Sequence, residues 1–249
     1  MKKIAIIIPS RLNAQRLPNK PLKLIDNKEM ILHVYDLAKR VNVDKVIVAT
    51  PDNKIIDVVR KNGGHAVLTK DNHQTGTDRI FEVFEKELKK ESDIIINLQG
   101  DMPNLLSSAI EDLIFHMKKK LCDIGTLASD LNTISENEIN DPNICKVVCS
   151  EKISKNKFAR ALDFYRLKET KGENKLIYHH IGIYAFTKQA LIRYVSLKRS
   201  KLELDRKLEQ LRALENKMKI DVGYVNSSPL SVDTEQDLKN IKKIMELND

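Results

Sequence analysis

Three cations, Arg11, Arg16 and Lys20, fall within one short stretch that follows the apolar run Ile4-Ala-Ile-Ile-Ile8 and is stiffened by Pro18 and Pro21. Backbone amides between Ser10 and Gln15 would cradle a phosphate, and the three cations would neutralise it. The stretch matches neither G-x-x-x-x-G-K-[ST] nor G-x-G-x-x-G, so the competing reading is a basic surface loop. A carboxylate, Asp101, comes directly after a second apolar run in Gln99-Gly-Asp101-Met-Pro103. Burying a carboxylate there costs free energy unless it has a partner, and hard oxygen ligands suit magnesium. Asp233 in Val232-Asp-Thr-Glu is a second candidate ligand, although capping the last helix is its competing role. Together the two carboxylates would hold one ion against a triphosphate. In Asn72-His-Gln-Thr-Gly-Thr-Asp-Arg79, small hydroxyl residues surround Gly76 just before a helix. That pattern suits the close approach of a base or ribose, and Thr75 or Thr77 would equally serve as a cap.

The elements that must position these groups alternate through the first half. Residues 4–8, 45–49, 65–68 and 93–98 are apolar runs of strand length. Between and after them, residues 30–41, 53–61, 78–90 and 107–120 carry apolar side chains at helical spacing. Gly63-Gly64 stops the second helix. Strands apolar throughout, alternating with amphipathic helices, predict an α/β fold: a mostly parallel twisted sheet with helices on both faces. Ligands of such sheets bind beyond the carboxyl ends of the strands, which is where residues 9–20, 72–79 and 99–103 fall. The second half is less regular. Strands are expected at 144–149, 181–186 and 219–225, a long charged helix at 201–218 with Leu204, Leu208, Leu211, Leu214 and Met218 near one face, and a last helix at 233–247. Residues 166–176 are polar and read as a mobile loop.

Bulk properties bound the answer. With 41% hydrophobic and 31% charged residues in 249, the chain is globular rather than disordered. No repeat and no linker divides it. The net charge of +8 admits nucleic acid or small anions as partners. The lysines are spread along solvent-facing helices without interleaved aromatics, which argues against nucleic acid. The first apolar run is too short for a secretory leader and no run approaches a membrane span, so a cytoplasmic protein is expected. Cys145 and Cys149, about 13 Å apart on a strand, are too far apart to share a metal, and with Cys122 they read as reduced thiols.

Several blocks, in this order along residues 5–238, resemble one family. They are Pro9-Ser-Arg11, Arg16-Leu-Pro-Asn-Lys20-Pro-Leu, His73-Gln-Thr-Gly-Thr-Asp-Arg79, Asn97-Leu-Gln-Gly-Asp101, His179-His180-Ile-Gly-Ile-Tyr184, Lys207-Leu-Glu-Gln-Leu-Arg212 and Val232-Asp-Thr-Glu. The family is the 3-deoxy-manno-octulosonate (Kdo) cytidylyltransferases. The first loop and Gln-Gly-Asp block recur in related sugar-acid cytidylyltransferases, whereas the His-Gln-Thr-Gly-Thr, His-Ile-Gly-Ile-Tyr and Leu-Glu-Gln-Leu-Arg blocks point to the Kdo branch. The resemblance implies transfer of CMP from CTP to Kdo for lipopolysaccharide synthesis, with magnesium as cofactor and a homodimer as the working form. Another sugar acid, amino-Kdo or a sialic acid, is the alternative substrate. It also implies a Rossmann-like main sheet with a smaller dimerisation part. One domain would span 1–249: 1–130 mainly for the nucleotide, about 131–218 for sugar and dimer contacts, and 219–249 returning to the main sheet. By the same resemblance, Pro9, Ser10, Arg11, Lys20, Gln74, Thr75, Gly76, Arg79 and Asp101 bind nucleotide. Gln99, His180, Tyr184, Glu209, Gln210 and Asp233 bind the sugar acid. Asp101 and Asp233 hold the metal, and Arg11 and Lys20 act with them in catalysis. Two departures stand out. Met102 replaces a common glutamate, and residues 158–170 match the family loosely, which leaves the role of Arg160 open.

Overall fold

The computed structural model describes residues 2–13, 16–119, 121–131, 140–167, 176–226 and 228–246. The chain forms two compact units, Met1–Glu111 with Pro229–Asp249, and Asp112–Ser228. The architecture is mixed α/β.

In the first unit, strands β1 (Ile4–Pro9), β4 (Lys45–Thr50), β5 (Ala66–Leu68) and β6 (Ile94–Asn97) lie in the order β5-β4-β1-β6. All pair in parallel, with Ile6 opposite Val46 and Ile96. Ile4, Ala5, Ile6, Ile7 and Ile8 are buried, as expected of a strand covered on both faces. Helix α1 (Met30–Arg40) buries Ile31, Val34, Leu37 and Ala38, and α2 (Asn53–Lys61) buries Ile55, Ile56 and Val59. Gly63 takes a left-handed φ of 72° just past α2, the conformation glycine adopts without strain. Helix α3 spans Gly76–Val83 and α4 spans Ser107–Lys118. A short hairpin, β2 (Leu24–Ile25) with β3 (Lys28–Glu29), joins the first loop to α1.

A small apolar cluster joins parts of the chain that are distant in sequence. Leu17, Ile25, Met30 and Val232 pack with Leu238 and Ile241 of the last helix, α8 (Glu235–Glu246). The cluster ties the loop after β1 to the chain just before α8.

The second unit departs from a mostly parallel sheet. Its strands are β7 (Ile124–Ser129), β8 (Lys146–Cys149), β9 (Ala159–Tyr165), β10 (Leu176–Thr187) and β11 (Ile220–Tyr224). β7 and β11 pair in parallel, and every other pairing in this unit is antiparallel. The order runs β10-β7-β11-β9-β8, and β8 pairs again with β10, so the five strands close into a ring. β10 does both jobs by its length. Its first residues pair with β8, and its later ones pair with β7 across a register shift between Ile181 and Tyr184. The chain re-enters the first unit at Pro229; the strand expected at 219–225 is β11 (Ile220–Tyr224), within the second.

The long helix expected at 201–218 is two short ones, α6 (Lys201–Arg206) and α7 (Leu211–Glu215), after α5 (Lys188–Ser196). Lys207 turns the chain with a left-handed φ of 54°. Across the break Glu203 faces inward and accepts from Arg212 Nε at 2.8 Å and Arg212 Nη2 at 2.6 Å, and from Arg199 at 2.9 Å. Leu208 and Leu211 are buried while Leu204 is half exposed, so these leucines do not share one face. The expected loop at 166–176 falls mostly on residues 168–175, which lie outside the described residues.

Candidate active site

In the first unit the carboxyl ends of the strands open into a cavity of about 730 Å³. Pro9, Ser10, Arg11, Lys20, Gln74, Thr75, Gly76, Arg79, Gln99, Asp101 and Asp233 all line it, with Asn13, Arg16, Pro21, His73 and Gly100. At its base the Lys20 ammonium donates to Asp101 at 2.8 Å and to Asp233 at 3.0 Å. Arg16 donates to the other Asp233 oxygen at 2.9 Å. Burial alone would lower the Lys20 pKa, but the two carboxylates outweigh it and raise it.

Residues more than two hundred positions apart meet here for reasons the fold supplies. Leu17 and Val232 share one apolar cluster, which brings their neighbours Arg16 and Asp233 together. The Val232 amide donates to the Asp101 carbonyl at 2.9 Å, tying the second carboxylate to the first. The capping role that competed for Asp233 belongs to its neighbour: Thr234 Oγ1 accepts from the Asp237 amide, and Asp237 accepts from the Thr234 amide at 2.8 Å. Gly100 sits against the first strand, where an added Cβ would lie 3.3 Å from the Pro9 carbonyl.

The 72–79 segment caps a helix and also lines the cavity. Thr75 caps α3, accepting from the Asp78 amide at 3.1 Å while Asp78 accepts in return, and it still lines the cavity. Arg79 is buried and donates to Thr69 at 2.6 Å and the Lys70 carbonyl at 2.9 Å. Burial first, then the nearby Arg11 charge, lowers its pKa. The Ser10 hydroxyl is buried without a hydrogen-bond partner among the described residues. Met102 is buried, so this position supplies core packing rather than a third carboxylate.

Some supporting residues were not legible in the sequence. Asp52 accepts from the Leu12 amide at 2.8 Å and so fixes the loop after β1. Glu82 accepts from His73 and Lys86 and from the Lys70 amide at 2.9 Å. Burial would raise its pKa, but the Lys86 and His73 contacts dominate and bring it down to about 2. Asp52 lies 40 residues from the amide it holds, and Glu82, although its Lys86 partner is one helical turn away, gives no local sign that it also holds His73 and the Lys70 amide.

The second unit gathers the remaining predicted residues. His180, Tyr184 and Gln210 are buried, and the His180 and Tyr184 rings lie 5.5 Å apart. Gln210 approaches Cys145 Sγ at 3.6 Å, and the Cys145 carbonyl accepts from the His180 amide at 2.9 Å. Tyr194 donates to the Glu209 carbonyl at 2.9 Å, while its ring stacks under the Arg212 guanidinium at 4.6 Å. The Glu203–Arg212 pair thereby sets where Glu209 and Gln210 stand. Burial lowers His180 to about 3 and raises Tyr184 well above its ordinary value, with Glu209 adding to the second effect.

Among the described residues one His-Cys-Asp group has metal-like spacing, His116, Cys122 and Asp221. Its carboxylate is already shared by His116 at 2.8 Å and Arg160 at 3.1 Å, and burial holds the Cys122 thiol far above its ordinary pKa. This is a structural ion pair, and it accounts for Arg160. Burial likewise pushes Cys145 and Cys149 up to about 12.

A loop of cations over paired carboxylates, at the carboxyl ends of parallel strands, is the equipment of a nucleotidyl-transfer enzyme. The sequence pattern of the cytidylyltransferase family matches residues 5–220, and the chain belongs to that family. Its relatives narrow the branch. It is 42% identical over 241 residues to a 3-deoxy-manno-octulosonate cytidylyltransferase of Bartonella henselae, covering 96% of this chain and 97% of the relative. It is 42% identical to the protein of that name from a Bradyrhizobium species, covering 98% and 97%. Among solved structures, a CMP:2-keto-3-deoxy-manno-octonic acid synthetase complexed with CTP superposes with a TM-score of 0.89 at 34% identity, covering 99% of this chain and all of that one. No helix of the described residues is long and apolar enough to cross a membrane.

Proposed function

We propose that this chain transfers CMP from CTP to the anomeric hydroxyl of Kdo and releases pyrophosphate. One observation carries the reading: two carboxylates, Asp101 and Asp233, converge on a single cation within 3.0 Å in a cavity also lined by Arg11, Arg16 and Arg79. The anomeric oxygen bonds to the α-phosphorus as the bond from that phosphorus to the bridging oxygen breaks; the hydroxyl proton is lost to solvent and pyrophosphate leaves with the charge. Such chemistry depends on positioning and on neutralising charge in place and needs no covalent intermediate.

The roles divide by residue. Arg11 and Lys20 hold the triphosphate and stabilise the leaving group. Pro9, Ser10, Gln74, Thr75, Gly76 and Arg79 line the nucleotide. Gln99, His180, Tyr184, Glu209, Gln210 and Asp233 recognise the sugar acid. Asp101 and Asp233 fit magnesium, since both offer hard carboxylate oxygens converging on one positive charge. When bound, that ion would neutralise phosphate charge and acidify the attacking hydroxyl. The first unit is read as Rossmann-like and nucleotide-binding, the second as the source of sugar and dimer contacts, in a cytoplasmic homodimer. Exposed Leu162, Leu167 and Leu204 in the second unit suit a face covered by another copy.

The test is pyrophosphate release with CTP, magnesium and a panel of Kdo, amino-Kdo and sialic acids. Kdo-dependent release supports the reading. Release with a sialic acid and none with Kdo overturns it.

A further inference from the structure

His180 does not stand alone in the second unit. Its Nε2 lies 2.9 Å from the hydroxyl of Thr126 on β7, and both residues are buried. The same hydroxyl lies 2.7 Å from the Ile183 carbonyl and 3.2 Å from the Ile181 carbonyl. Both carbonyls face it because β10 shifts register between Ile181 and Tyr184, with Tyr184 opposite Thr126.

A threonine hydroxyl has one proton and two lone pairs. Carbonyl oxygens only accept. If the proton pointed at His180 Nε2, a bare hydroxyl oxygen would face the Ile183 carbonyl oxygen at 2.7 Å, two acceptors in contact inside the core. The proton therefore goes to Ile183, and the hydroxyl can meet the imidazole only as an acceptor. That requires a hydrogen on Nε2 and leaves Nδ1 with its lone pair. No other hydrogen bond competes for the ring nitrogens among the described residues, since the remaining His180 contacts are its amide bond to Cys145 and ring contacts with Phe164 and Tyr184.

We propose that Thr126 is a positioning residue that locks His180 in its Nε2–H form and so presents Nδ1 as a fixed acceptor for a hydroxyl of the sugar acid. The inference rests on the reading of His180 as a sugar-acid ligand. It gives the register shift in β10 a purpose: the shift supplies the two carbonyls that claim the threonine proton. Burial keeps the imidazole neutral at working pH, so the lone pair stays available.

The test combines nitrogen NMR with kinetics on the full chain labelled with ¹⁵N-histidine. His180→Gln identifies the His180 signals. In the unaltered protein Nε2 is expected to show the shift of a protonated nitrogen and Nδ1 that of a bare one throughout pH 6–8. Thr126→Val should blur or reverse that pattern and raise KM for the sugar acid roughly tenfold while KM for CTP stays within about twofold, the size expected for one well-made hydrogen bond. Thr126→Ser should restore both, and it remains informative if the valine protein folds poorly. A protonated Nδ1 in the unaltered protein, or a serine variant as impaired as the valine one, overturns the lock. If the lock is seen and His180→Gln leaves the sugar-acid KM unchanged, the ligand reading of His180 fails instead, and Thr126 has only a structural role.

Discussion

At the residue scale the site is a charge balance around Lys20. Asp101→Asn removes one of the two carboxylates that meet there. Turnover should fall by at least ~10² to 10³, the range for losing a charge-stabilising group, while the melting temperature moves by only a few degrees because the pair is partly exposed. An Asp101→Asn enzyme with near-normal pyrophosphate release would sink the metal assignment. Arg11→Ala should act mainly on KM for CTP. Glu82 makes a pH prediction. Its pKa is depressed from 4.5 to about 2, so its stabilisation is complete above pH ~4.5 and is lost as pH falls from there toward 2. Glu82→Gln should flatten the acid side of the stability curve in thermal melts between pH 2.5 and 7. The cations and Asp101 were legible in the sequence because strand ends and short loops are local features. Asp52, Glu82 and Thr126 were not, since each acts through a contact that only the fold creates.

At the element scale the lesson lies in residues 201–218. Leucines at helical spacing predicted one helix, yet the segment folds back as α6 and α7. Helical periodicity is blind to a buried ion pair such as Glu203 with Arg212. Both are buried, at 0% and 2% exposure, so removing Glu203 takes two short hydrogen bonds from a guanidinium that has little access to water. Glu203→Gln should cost about 3 kcal/mol in denaturant unfolding, as for other broken buried pairs. It should also raise KM for the sugar acid, because Glu209 and Gln210 immediately precede α7. Replacing both charges by leucines should recover much of the stability without recovering the KM. The first-half strands were read correctly because apolar runs between amphipathic helices have few alternatives. In the second half the strands expected at 144–149, 181–186 and 219–225 are found as β8, part of β10 and β11, whereas β7, β9 and the antiparallel pairing were not expected, because such pairing is made by long-range contacts that leave no local signature.

At the scale of the whole molecule, all three thiols are held above their ordinary pKa by burial. Thiol-reactive dye should therefore label the native protein slowly and all three cysteines together on unfolding, and fast labelling in buffer at pH 8 would contradict the burial described for them. The net charge of +8 should give weak binding to nucleic acid at low salt that fades near physiological ionic strength, measurable by filter binding.

The ring of five strands has a consequence for assembly. Because β8 pairs with both β9 and β10, and β7 and β11 are each flanked on both sides, each of the five strands has two neighbours among the described residues of the second unit. The described residues therefore leave two copies little free strand edge by which to extend a common sheet, the route by which exposed strands recruit one another and aggregate. A dimer made through this unit should meet side chain to side chain. It should then be reversible on dilution and weakened by a charge placed at Leu162 or Leu204, rather than by prolines that block backbone pairing.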